Sequence, residues 1–97
     1  GTPQTPVRDE KLFNALTLAF KYKNEMQERG LSITEYAHKY HIDRSNLGRL
    51  LKLTLLAPKI VNSILDGTQP RELKIENFTK DEVPHLWADQ LKKYGYI

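Results

Sequence analysis

The sequence predicts an all-α domain of about five helices arranged around a central helix-turn-helix. Apolar residues recur at intervals of three and four along most of the chain, and helix-capping signals stand at the ends of those runs. No segment sustains the period-two alternation of a strand, and no internal repeat or low-complexity tract interrupts the pattern. The boundaries read as a flexible linker over residues 1–8 and one domain over 9–97.

The opening "GTPQTPV" is small, polar and proline-bearing, the composition of a connection rather than of a packed element. From Asp9 onward, "DEKLFNALTLAFKYKNEMQER" places Leu12, Leu16, Ala19 and Met26 at helical spacing, with acids in the first turn and Gly30 as the left-handed terminator. "SITEYAHKY" then opens a second helix with Ser32 and Glu35 in the capping-box arrangement, and Ile33, Tyr36, Ala37 and Tyr40 share one face. After a break at His41 and Ile42, Asp43 caps a third helix expected to run to about Thr54, with Leu47, Leu50 and Leu51 as its apolar side.

Pro58 suits the first position of a fourth helix, because its missing N–H would have no partner there; Ile60, Val61, Ile64 and Leu65 are its expected buried side and Gly67 its end. "TQPREL" reads as a turn, followed by a short element around Ile75 to Phe78. Pro84 is expected to start a last helix carrying Leu86, Trp87 and Leu91 into the core, ending before Gly95.

At 97 residues and 11.3 kDa the chain can build one core but not a large catalytic cleft as well, so function is expected on its surface. Its 39% hydrophobic and 28% charged residues are ordinary for a soluble domain. No apolar run approaches the roughly 20 residues that cross a bilayer, and no export leader stands at the start. The absence of cysteine removes disulfides, thiolate zinc sites and cysteine nucleophiles, and it fits a cytoplasmic setting.

The net charge of +3 is mild, so where it falls matters more than its size; the largest excess, four basic residues against two acidic, lies in residues 32–57. That segment holds two short helices joined by a turn of three or four residues, the helix-turn-helix pattern. Ala37 is small where the two helices must approach, Ile42 anchors the turn, and Leu47 and Leu50 bury the inner side of the second helix. His41 stands where glycine is usual, so the turn is expected to carry some backbone strain.

Turning by about 100° per residue, the side opposite the leucines carries Ser45, Gly48, Arg49 and Lys52, flanked by Arg44 and Asn46, with no acid between Arg44 and Lys52. In a major groove arginine can grip the N7 and O6 acceptors of guanine, asparagine can do the same to adenine, and lysine can neutralise a phosphate. Arg44, Ser45, Asn46 and Arg49 are therefore the expected base-reading residues. Lys52, Lys39 and the helix start at Thr34 are the expected backbone contacts. Gly48 fits the same picture, since a mid-helix glycine costs about 1 kcal/mol against alanine and a close approach of the bases would explain it.

No cofactor, metal or catalytic residue is expected. His38 and His41 straddle a helix end with no third strong ligand. Ser32, Ser45 and Ser63 lack a nucleophile elbow and acid-base partners. The basic and aromatic interleaving of "FKYKNEM" and "LKKYGY" fits helix edges better than platforms for single-stranded bases.

With these residues in view, the chain resembles the helical DNA-binding module of bacterial and phage site-specific serine recombinases, the resolvase and invertase superfamily. The similarity runs from about Asp9 to Tyr96 and is most specific in "SNLGRLLKLTLLAPKIVNSILDGTQPRELKIENF"; "VPHLWADQLKKYGY" resembles the closing tryptophan helix and terminal glycine-aromatic pair. The resemblance implies targeting of a recombinase to double-stranded DNA through Arg44, Ser45, Asn46 and Arg49, in association with the nucleoid. It implies no cleavage by this chain, because nothing here matches the family's catalytic domain. The implied partners are duplex DNA and the recombinase domain of a parent chain or homologous subunits, with no membrane, and the isolated domain is compatible with a monomer. The same helical core also resembles the DNA-binding part of ParB and KorB partition and repressor proteins. A rival from another class is a protein-interaction module docking through the apolar block from Leu53 to Leu65 or through the Trp87 helix. An enzyme reading would need an acidic cluster or a metal site.

Overall fold

In the computed structural model, which describes residues 8–97, the described chain is helical with no strand. The linker expected over 1–8 lies, apart from Arg8, outside the described residues. Six α-helices follow in order: α1 (Glu10–Arg29), α2 (Ile33–Tyr40), α3 (Arg44–Leu51), α4 (Pro58–Asp66), α5 (Glu76–Thr79) and α6 (Trp87–Lys93), with a 3₁₀ turn at Lys52–Leu55.

Local chemistry accounts for most of the boundaries. The Asp9 carboxylate accepts from the Leu12 N–H at 3.1 Å, and Gly30 ends α1 in the left-handed region at φ 65°. Ser32 and Glu35 form the reciprocal capping box, each accepting the other's backbone N–H at 3.1 Å. Hydrogen bonding from the Ser32 backbone N–H, and from its hydroxyl, holds the Glu35 carboxyl below its usual range. Asp43 caps α3 through the Asn46 N–H at 3.0 Å. Pro58 stands in the first turn of α4, and Gly67 closes that helix at φ 79°.

The third helix is shorter than its periodicity suggests: α-helical bonding stops at Leu51 and the chain tightens into the 3₁₀ turn, where the Thr54 hydroxyl donates to the Leu51 carbonyl at 2.7 Å.

α1 is the spine against which α3, the 3₁₀ turn and α4 pack. Its inner residues Leu12, Leu16 and Ala19 enter a large buried cluster with Leu53, Leu56, Ile60, Ile64 and Phe78, and Tyr94 closes that cluster edge-on to Phe78 at 4.8 Å between ring centroids. A second, smaller cluster of Tyr36, Ala37 and Leu47 lies under the turn between α2 and α3, flanked by Tyr22, Met26, Ile33, Ile42 and Leu51. There the Tyr36 hydroxyl donates to Glu25 at 2.5 Å and ties α2 to α1. Burial, reinforced by Glu25, pushes the Tyr36 phenol well above its ordinary range.

Three expectations about the C-terminal half need correction. Trp87 and Leu86 do not enter the core; they are 57% and 66% exposed. The last helix begins at Trp87 rather than Pro84, and Gln90 holds the inward position at 1% exposure. Its amide accepts from the Ala57 N–H at 2.7 Å and donates to the carbonyls of Leu55 and Pro84 at 3.1 and 2.9 Å. Those three bonds fix the rotation of α6 and turn Trp87 outward, because buried backbone groups demand partners more strictly than an indole demands burial. On α4, Leu65 likewise faces solvent while Ser63 is buried. The Ser63 hydroxyl donates to the Ile60 carbonyl at 2.7 Å and stands 2.6 Å from the Tyr96 hydroxyl, which supplies the proton of that second bond.

Candidate nucleic-acid interface

The polar side of α3 follows from its inward side. Leu47 is fully buried, while Leu50 and Leu51 are half-buried, so steps of about 100° set the remaining residues in a fixed order around the helix. Ser45, Gly48, Arg49 and Lys52 lie along the outward side, with Arg44 on one flank and Asn46 on the other. Arg44, Ser45, Asn46 and Arg49 are all exposed, and Lys52 is half-buried. Among the described residues no carboxylate pairs with Arg44, Arg49 or Lys52.

Both arginines are held in place. On the first flank the Arg44 Nε donates to the Thr34 hydroxyl of α2 at 2.8 Å. On the other, the Arg49 Nη1 donates to the Asn46 Oδ1 at 2.9 Å. Each arginine is thus fixed through one N–H and keeps the others of its fork for a ligand. Asn46 has its carbonyl engaged and retains its amide N–H donors, so here it positions Arg49 as well as offering donors of its own.

Thr34 and Lys39 are exposed on α2. The capping box leaves the N–H groups of Ile33 and Thr34 without an acceptor among the described residues, as the first turn of a helix does. Glu35 places a carboxylate at this helix start, so the charge there is set by Arg44 against Glu35. The joint between the helices is His41, in the left-handed region at φ 55°, the one non-glycine residue with positive φ among those described. Its conformation lets the Ile42 N–H reach the Ala37 carbonyl at 2.9 Å and closes the turn.

Gly48 has no internal explanation. A Cβ built on it would meet nothing within 4 Å outside its own helix, and its φ is not positive. Neither packing nor backbone conformation requires glycine at this position.

Residues outside the helix-turn-helix also border the site. Thr79 and Lys80, at the end of α5, face Asn46, Arg49 and Leu50 across a cleft of about 620 Å³. Sequence reasoning missed them because only the packing of α5 beside α3 brings them there. Among the described residues no group of three or more His, Cys, Asp or Glu is placed to hold a metal ion, and no helix is long and apolar enough to cross a membrane. In comparisons with protein-family models, characterised proteins and solved structures, the chain matches none.

Proposed function

We propose that this domain binds double-stranded DNA sequence-selectively, with α3 in the major groove, and that it directs a site-specific recombinase to its target. Arg44, Ser45, Asn46 and Arg49 read base edges, Lys52 contacts phosphate, and α2 lies across the backbone with Thr34 and Lys39 towards it. The recombinase assignment rests on the sequence resemblance; the DNA assignment rests on the outward side of α3. The observation that carries it is Gly48. A glycine in mid-helix lowers stability by about 1 kcal/mol relative to alanine, nothing inside the protein needs it, and a duplex approaching the helix backbone would account for it.

The test is selection of bound duplexes from a randomised pool, followed by titration of the selected duplex at two salt concentrations. Affinity is expected to fall steeply with salt as counterions are released, and backbone amide shifts should centre on Ser45, Gly48, Arg49 and Lys52. Arg49→Ala should cost roughly 1–3 kcal/mol of binding and relax preference at one base pair. Gly48→Ala should weaken binding while making the fold more stable. An unchanged base preference in the Arg49 variant, together with undiminished affinity in the Gly48 variant, would overturn the reading.

A second reading draws on the apolar residues at the far end of the same segment. Leu55, Leu86 and Trp87 are each more than half exposed, and Leu55 and Trp87 border one groove with Val83 and Pro84. Such a surface suits docking on a protein partner. Binding that responds little to salt, with shifts confined to Leu55 and Trp87, would favour it over DNA recognition.

A further inference from the structure

We propose that the cleft between α3 and α5 is a phosphate subsite in which Lys80 grips the DNA strand on the flank of the recognition helix opposite α2. This rests on the reading of α3 as a major-groove helix and extends the interface to a segment outside the helix-turn-helix. A helix lying in a major groove about 12 Å wide runs between two phosphate backbones, one along each flank. On the Arg44 flank, α2 supplies Thr34 and its free backbone donors to one of them. On the Asn46 flank the neighbouring element is α5, and the cleft there is lined by Asn46, Arg49, Leu50, Thr79 and Lys80.

The donors in this cleft suit a phosphate oxyanion. Arg49 keeps N–H groups beyond the one given to Asn46, Asn46 keeps its amide N–H donors, and Lys80 contributes an ammonium. Thr79 is not a donor, because its hydroxyl proton goes to the Ile75 carbonyl at 3.2 Å. Of the nearby acids, Glu76 pairs with Lys11 at 3.3 Å and lies within electrostatic reach of Lys80, and Glu82 borders the Trp87 groove. No carboxylate is among the residues lining the cleft, and Arg49 and Lys80 are its two cations.

The experiment measures the dependence of duplex affinity on salt for the full chain, with the duplex selected by the wild type. Neutralising one phosphate contributes about 0.9 to the slope of log affinity against log salt. Lys80→Ala should lower the slope by about that amount without changing base preference, and Lys80→Arg should restore it. Lys21→Ala, on the groove between α1 and α4, should leave the slope unchanged. DNA and free phosphate are separated by adding inorganic phosphate at the same phosphate concentration: the Lys80 and Asn46 amides should shift with duplex and not with the free ion. An unchanged slope in Lys80→Ala while Arg49→Ala still loses base preference would overturn the subsite and leave the helix-turn-helix reading standing. Equal slope loss in Lys21→Ala, or shifts produced by inorganic phosphate alone, would also overturn it. Absence of any salt-dependent duplex binding by the wild type would remove both readings together.

Discussion

Under the turn between α2 and α3 the buried cluster has three members, Tyr36, Ala37 and Leu47, whereas the cluster centred on Phe78 has eleven. The smaller cluster cannot hold two eight-residue helices by apolar burial alone, since helices of that length are unstable in isolation. Directional bonds make up the difference: the Ser32 and Glu35 capping box, the Asp43 cap and the Tyr36 to Glu25 bond. In the larger cluster non-directional burial dominates, and one polar residue, Gln90, fixes the orientation of α6. The region of α2 and α3 is thus braced by specific bonds, while the larger cluster supplies bulk stability.

That contrast can be broken most forcefully in the large cluster. Phe78→Ala removes a fully buried ring and should cost about 3–5 kcal/mol, read as a lower midpoint in urea denaturation. Gln90→Leu keeps the volume and leaves the Ala57 N–H and the Leu55 and Pro84 carbonyls without their partner, so about 3 kcal/mol should be lost. The same variant should change Trp87 fluorescence as α6 loses its fixed rotation.

In the small cluster, Tyr36→Phe deletes a bond to a carboxylate and should cost about 2 kcal/mol. It carries a pH signature as well. The Tyr36 phenol is raised in the folded state, so the folded protein binds its proton more tightly than the unfolded chain. Its contribution is complete below the unfolded value of 10.0 and is lost as pH rises beyond it. Tyr94 and Tyr96, raised chiefly by burial, act in the same direction from the large cluster. Stability should decline above pH 10, and Tyr36→Phe should flatten that decline without abolishing it.

Smaller effects belong to the caps and the turn. Asp43→Ala should cost about 1 kcal/mol, with amide exchange quickening first in α3. His41→Gly relieves a left-handed conformation that costs an ordinary residue roughly 1 kcal/mol, partly offset by the greater freedom of glycine in the unfolded chain. A gain below about 1 kcal/mol is expected.

The parts of the fold legible in the sequence are those governed by bonds between near neighbours. Ser32 with Glu35, Asp43 with Asn46, Pro58 and Gly67 each set a helix end within four residues, and each stands where the pattern places it. The outward side of α3 was legible for the same reason, because three inward leucines determine the remaining positions around a rigid helix. Trp87 is exposed despite its hydrophobicity, because the rotation of α6 depends on backbone groups 33 to 35 residues away from Gln90. Lys80 was illegible because nothing near it in the chain indicates Arg49 as its neighbour.

The all-helical class, the side-chain caps that start the first three helices, the glycine ends of α1 and α4 and the acid-free outward side of α3 were determined by the sequence alone, since they arise from local hydrogen bonding and a fixed helical period. Tertiary structure decided which residues flank that side, which hydrogen bonds orient its arginines, and why glutamine rather than tryptophan is buried in the last helix. Those outcomes depend on distant segments satisfying one another's buried polar groups, a condition that has no signature in residue spacing.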